Sequence, residues 1–166
     1  MRGEYQAALL TGPERLEVGA LSVPRLNPDE ALVRVHRANL CPTDLKKYYH
    51  LDEASARSLS PDTPVVLGHE AAGVVAAVGA DVRDVEPGLR VAIDPMLPCG
   101  RCPYCRNGDF PLCTDLTGIG ASAGSVQAAI HRLRQKGGGG AFAEYVKAPV
   151  RNLYPLPDGL PFEAAA

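Results

Sequence analysis

A mainly β fold with short helices is predicted by three observations. Glycine and proline are abundant, 17 and 15 in a chain of 166 residues, and they punctuate the chain at short intervals. The apolar runs between them are short and either alternate or are rich in β-branched residues, and only one stretch reads as a long helix. Four of the five cysteines crowd into Pro98 to Cys113 among glycines and prolines, which predicts a lobe organised by a metal rather than by regular structure.

The elements follow in order. Ala7 to Leu10 and Arg15 to Val18 flank Thr11-Gly12-Pro13-Glu14 and read as a hairpin, with Gly12 and Pro13 supplying the turn. Ala31 to Ala38 alternates Leu32, Arg34 and His36 with Val33, Val35 and Arg37, a strand with an imperfect apolar face. Thr43 to Tyr49 follows Pro42 and predicts one or two helical turns capped by Thr43 or Asp44. Leu51 to Pro64 is rich in Ser, Asp, Ala and Pro and predicts a surface loop, after which Val65-Val66-Leu67 leads into Gly68-His69-Glu70. Ala71 to Val78 and Leu89 to Ile93 read as strands joined through Pro87-Gly88. Ser125 to Lys136 has the pattern of the longest helix, with Ser125 as cap, Val126, Ile130 and Leu133 on one face and a basic, solvent-facing side of His131, Arg132, Arg134 and Lys136. Ala141 to Ala148 predicts a last strand, and Pro155 to Pro161 a connector into Phe162 to Ala166. That final stretch reads as the start of a helix, which by itself is too short to offset nucleation and so predicts a chain cut short.

The length suits one domain with its own core. The composition, 46% hydrophobic and 22% charged with a formal net charge of -2, is that of an ordinary globular protein and argues against a nucleic-acid partner. No run approaches the roughly 18 apolar residues of a membrane span. Met1 to Leu10 lacks the apolar segment of a signal peptide, so a cytoplasmic location without membrane contact is expected. In that reducing compartment clustered cysteines are expected to ligate metal.

Cys99, Cys102, Cys105 and Cys113 follow C-x2-C-x2-C-x7-C. One short loop with this spacing can present four thiolates to a tetrahedral ion, and zinc fits it better than an iron–sulfur cluster, whose ferredoxin motif has a shorter last interval followed by proline. With all four positions filled by protein, the zinc is expected to be structural, within a lobe spanning residues 95–115. Cys41 and His69 stand apart. Each alone reads as a buried thiol or a hydrogen-bonded imidazole; together they offer two ligands of an open zinc site.

The order Cys41-x-Thr43-Asp44, Gly68-His69-Glu70, the four-cysteine lobe and Gly140-Ala141-Phe142-Ala143-Glu144-Tyr145 resembles the zinc-dependent medium-chain alcohol and polyol dehydrogenases over nearly the whole chain. The resemblance implies a GroES-like irregular β-barrel over residues 1–166 that carries the zinc-binding lobe. It implies a catalytic zinc held by Cys41 and His69 with Glu70 close behind it, Asp44 orienting the His69 ring, and Thr43 taking the proton of the substrate hydroxyl. The substrate is then a small alcohol or polyol, with hydride passing to NAD or NADP, and the intact enzyme a homo-oligomer. Lys46 stands where many relatives carry a proton-relaying histidine; it either meets a ribose or phosphate of the cofactor or is a solvated helix residue. The third protein ligand to the catalytic zinc has no matching position, and Glu163 corresponds to a non-ligand glutamate just before it. The catalytic zinc is therefore one ligand short here and need not be held by this chain.

Gly118-Ile119-Gly120-Ala121-Ser122-Ala123 satisfies G-x-G-x-x-G/A, but no strand of adequate length precedes it and no acidic residue follows at the required distance, so it is not read as a dinucleotide loop. An NAD(P)-binding Rossmann domain is accordingly expected to be absent from this chain, which alone should be inactive. Two rival readings are a free-standing zinc-stabilised GroES-like binding or assembly module and a metal-free reductase; the combination of Cys41, Thr43 and His69 speaks against both.

Overall fold

The computed structural model describes residues 3–121 and 139–166. The first hairpin joins β1 (Glu4–Gly12) to β2 (Arg15–Ser22). Its two-residue turn is Pro13-Glu14, and the left-handed position falls on Glu14 (φ 54°) rather than on a glycine. Thr11 is the cause: a register shift between Leu10 and Gly12 moves Gly12 out of the turn and opposite Arg15. The other edge of β1 pairs with β4 (Val65–Val66).

The main sheet is antiparallel. Its strands are β3 (Glu30–Asn39), β5 (Glu70–Val78), β6 (Arg90–Ile93), β9 (Tyr145–Pro149) and β10 (Leu153–Pro155), in the order β10-β6-β5-β3-β9. Ala31, Leu32 and Val33 of β3 are all buried, although successive side chains point to opposite faces. Cover on both faces of that strand end explains why its alternation is imperfect in sequence. Val33, Val75, Val91, Ile93, Ile119 and Val146 form the main core, while Leu10, Leu59, Val65 and Leu67 form a second one under α1 (Pro42–Tyr49). A buried pair, Lys147 Nζ to Glu30 Oε2 at 3.0 Å, ties β9 to the start of β3; Glu30 also accepts from Asn27 N, and Lys147 donates to Arg25 O.

Several expectations need correction. Residues 51–64 are not wholly loop: α2 (Glu53–Ser58) forms because Asp52 accepts from Ser55 N at 2.9 Å and from the Ser55 hydroxyl at 2.6 Å. The cap of α1 is Cys41, not Thr43 or Asp44; Asp44 instead reaches back to accept from Cys41 N at 3.2 Å. The cysteine lobe holds some regular structure, α3 (Pro103–Asn107) and a 3-10 turn over Phe110–Leu112. The last long strand begins at Tyr145, because Gly140, Ala141 and Phe142 donate their amides to Val66, Gly68 and Leu67 and do not enter the sheet. The helix expected over Ser125 to Lys136, with its basic face, lies outside the described residues.

The expected C-terminal turn is α4 (Phe162–Ala165). The Phe162 ring is held between the His36 imidazole, stacked at 4.6 Å, and the Arg90 guanidinium, also 4.6 Å away. Glu163 pairs with Arg37 at 2.6 Å, Asn39 Nδ2 donates to Ala166 O, and Arg90 donates to Leu160 O.

Candidate metal centres

The lobe is built by a short excursion closed at its base, where β7 (Met96–Leu97) pairs with β8 (Thr117–Gly118). Within it the sulfurs of Cys99, Cys102, Cys105 and Cys113 all lie within 4.8 Å of one another, with Cys99 and Cys105 3.9 Å apart. A tetrahedron with zinc–sulfur bonds of about 2.3 Å has edges of about 3.8 Å, so the residues present fit the ion. Backbone amides point at the sulfurs: Cys99 N at Cys113, Cys102 N at Cys99, Cys105 N at Cys102 and Asp115 N at Cys113, at 3.3 to 3.4 Å. The Cys105 amide is the main reason the Cys102 thiol is lowered to about 6. Burial pushes Cys105 up to about 12 in the bare protein. Gly100 and Gly108 both take positive φ, 75° and 87°, and so permit the expected tight turns.

The second centre arises from strand pairing. Asn39 at the end of β3 lies opposite Glu70 at the start of β5, so Cys41, two residues past Asn39, and His69, one before Glu70, meet at the same end of the sheet. A ligand atom from each of Cys41, His69 and Glu70 lies within 4.8 Å of the others. Thr43 Oγ1 is 3.2 Å from Cys41 Sγ and 3.4 Å from His69 Nε2, so the hydroxyl faces the mouth of the cluster. One thiolate, one imidazole and one carboxylate form a donor set that suits zinc, and three protein donors are one fewer than a tetrahedral ion takes.

Asp44 organises this centre from behind. Only 2% exposed, it accepts from Gly68 N at 3.1 Å with one oxygen and from Cys41 N with the other, while His69 Nδ1 lies 3.3 Å away, off the line of a good hydrogen bond. A single carboxylate thus holds the backbone next to both ligands and faces the ring nitrogen opposite Nε2. Lys46 is exposed on α1; Lys47 is half-buried, and burial pulls its ammonium down while Asp44 and Cys41 oppose the shift. Glu163 stays outside the cluster, on Arg37. Sequence reasoning missed the packing around Gly68, which takes φ 86° and has no room for a side chain because the Phe142 ring lies against it. Its Gly in Gly68-His69-Glu70 was the available signal.

The alcohol dehydrogenase GroES-like domain model matches residues 27–158, and the chain belongs to that family. It is 38% identical to L-threonine 3-dehydrogenase of Stenotrophomonas maltophilia over 87% of this chain and 37% of that protein. It is 32% identical to sorbitol dehydrogenase of Bacillus subtilis over 97% of this chain and 41% of that one. Among solved structures it is similar to the cobalt- and zinc-bound thermostable alcohol dehydrogenase from Pyrobaculum aerophilum, with a TM-score of 0.75 and 28% identity over 98% of this chain and 44% of that chain. The chain spans about two fifths of the length of the curated relatives it matches. The mainly β fold and the family expected from the sequence are both borne out. Among the described residues no helix is long and apolar enough to cross a membrane.

Proposed function

We propose that this chain is the metal-binding catalytic domain of a zinc-dependent dehydrogenase that interconverts a small alcohol or polyol and its carbonyl compound, with hydride exchanged with NAD or NADP. The observation that carries this is the convergence of Cys41, His69, Glu70 and Thr43 at one sheet end, braced by Asp44. Cys41 and His69 would hold the zinc with Glu70 behind it, and Cys99, Cys102, Cys105 and Cys113 a second, structural zinc. Zinc at the open centre supplies Lewis acidity toward a substrate oxygen. Thr43, exposed beside both ligands, would take the substrate's hydroxyl proton while passing its own outward to solvent; Asp44 would fix the orientation of His69; Lys46, exposed on the same helix, would meet a ribose or phosphate of the cofactor. The free state of all five cysteines suits a reducing, cytoplasmic compartment.

Metal content tests this reading. The wild-type protein is expected to bind two zinc ions per chain, and His69→Ala one. A single zinc in the wild type is compatible with this reading and with the binding module alike, whereas two favour the enzyme. In the product of the complete gene, assayed for NAD(P) reduction on a panel of secondary alcohols and polyols, His69→Ala is expected to abolish turnover; unchanged turnover overturns the assignment.

A further inference from the structure

The Gly118-Ile119-Gly120 run has no nucleotide-binding role in the reading above, yet its surroundings give it another. The base of the cysteine lobe is closed by pairing Met96 with Gly118 and Leu97 with Thr117. Ile119 follows, 3% exposed in the main core, with its amide donated to Pro95 O at 3.0 Å, and Asn152 buttresses the same base by donating to Asp94 O and Met96 O. The next residue is Gly120, in the left-handed region at φ 55°, and its Cα lies directly against the Gly68 peptide. A methyl built there would overlap the Gly68 carbonyl oxygen and lie 2.7 Å from the Gly68 carbonyl carbon.

Gly68 is the residue before His69. Its amide is taken by Asp44 at 3.1 Å and its carbonyl by Ala141 N at 2.8 Å, and Phe142 N bonds Leu67 O at 3.0 Å. On the side of that second strand of contacts, Gly140 also abuts the backbone, where a methyl would lie 2.4 Å from the Leu67 carbonyl carbon's position and overlap its oxygen. The turn that presents His69 is therefore pinned between two backbone segments that only glycine lets approach, one of which is the base of the cysteine lobe.

We infer that Gly120 is a positioning residue for His69, through which the four-cysteine lobe sets the geometry of the open Cys41–His69 centre. The inference rests on reading that centre as a metal site. To reach van der Waals separation from a side chain at position 120, the overlapped Gly68 carbonyl oxygen would have to retreat by roughly 1.4 Å. Metal–ligand distances tolerate about 0.2 Å, so a shift of that size at the residue next to His69 is read by the metal before the fold is lost.

Cobalt(II) titration followed by visible absorption tests this, because the four-thiolate lobe and the one-thiolate open centre give charge-transfer bands of different intensity. Gly120→Ala is expected to weaken cobalt at the open centre by roughly 10- to 100-fold and to alter its ligand-field bands, with lobe affinity unchanged. Gly79→Ala is the matched control: a methyl there also overlaps backbone, at Asn27 and Pro28, but beyond the far end of β5. Wild-type affinity and spectrum at the open centre of Gly120→Ala overturn the inference, as does an equal loss in Gly79→Ala. Should Gly120→Ala lose the lobe signal as well, Ile119→Ala loosens the same run without adding an atom. It is expected to weaken the open centre in the same direction, and an unchanged dissociation constant there overturns the inference. A wild-type protein that takes up one cobalt refutes the open metal site itself, separately from any role of Gly120.

Discussion

The two cysteine-bearing centres are assembled in opposite ways. The lobe gathers four sulfurs from one short run of chain, and its own amides point at them, so apart from the paired strands at its base little of the surrounding fold is needed to define it. The centre at Cys41 and His69 draws on a helix cap and a strand entry brought together by the β3–β5 register, with a buried aspartate across the gap. On the proposed reading the first is a loop that a metal would fold, and the second a fold that would receive one. The difference teaches that one centre should fail locally and the other should fail with its supports.

The largest effect is expected from stripping metal off the zinc-loaded protein with a strong chelator. Amides of residues 99–113 should then exchange on the order of 100-fold faster, while those of β3, β5 and β6 keep their protection; hydrogen exchange with mass spectrometry reads both. Loss of protection throughout the sheet would erase the proposed contrast. Next comes Asp44→Ala. It leaves the amides of Cys41 and Gly68 without their acceptor, at about 1–3 kcal/mol for the buried Gly68 donor and less for the partly buried Cys41 donor, and should weaken zinc at the open centre by roughly 10- to 100-fold without touching the lobe. Denaturant melts and competitive zinc titration measure the two parts, and equal loss at both centres would break the comparison.

The smallest effect is at α2, which contributes no residue to either centre. Hydrogen bonds from the Ser55 hydroxyl and amide hold the Asp52 carboxyl below its usual range. A depressed carboxylate stabilises the fold above its unfolded pKa, and the contribution disappears as pH falls through the lower folded value. Asp52→Asn should therefore melt slightly below wild type at neutral pH, with the gap closing below about pH 4; a gap independent of pH would sink this account.

Legibility in sequence followed the same division. The lobe was readable from spacing alone, because its ligands and its turn glycines are neighbours in the chain. The hairpin, β3, β5 and β6 were readable from short apolar runs. The α2 helix was not: six residues rich in Ser and Ala carry little periodicity, and the Asp52 to Ser55 interval that caps it is a weak signal on its own. Cys41, His69, Thr43 and Asp44 were found through their family order, whereas the mutual distances depend on the register of Asn39 opposite Glu70, which no local pattern states. Gly120 was noticed for a motif that has no nucleotide role here, since what a glycine touches across 52 residues of chain is invisible until the backbones are placed together.

The pairing of Glu30 with Pro149 has a consequence in time. As the chain is synthesised from its N-terminus, β3 can meet β5 early but keeps its other edge open until β9 emerges, and closing so long a loop is slow. The four thiols are complete at Cys113, well before that. A nascent chain would thus carry a complete four-cysteine lobe beside an unfinished sheet, with Glu30 still without Lys147, its partner in the finished one.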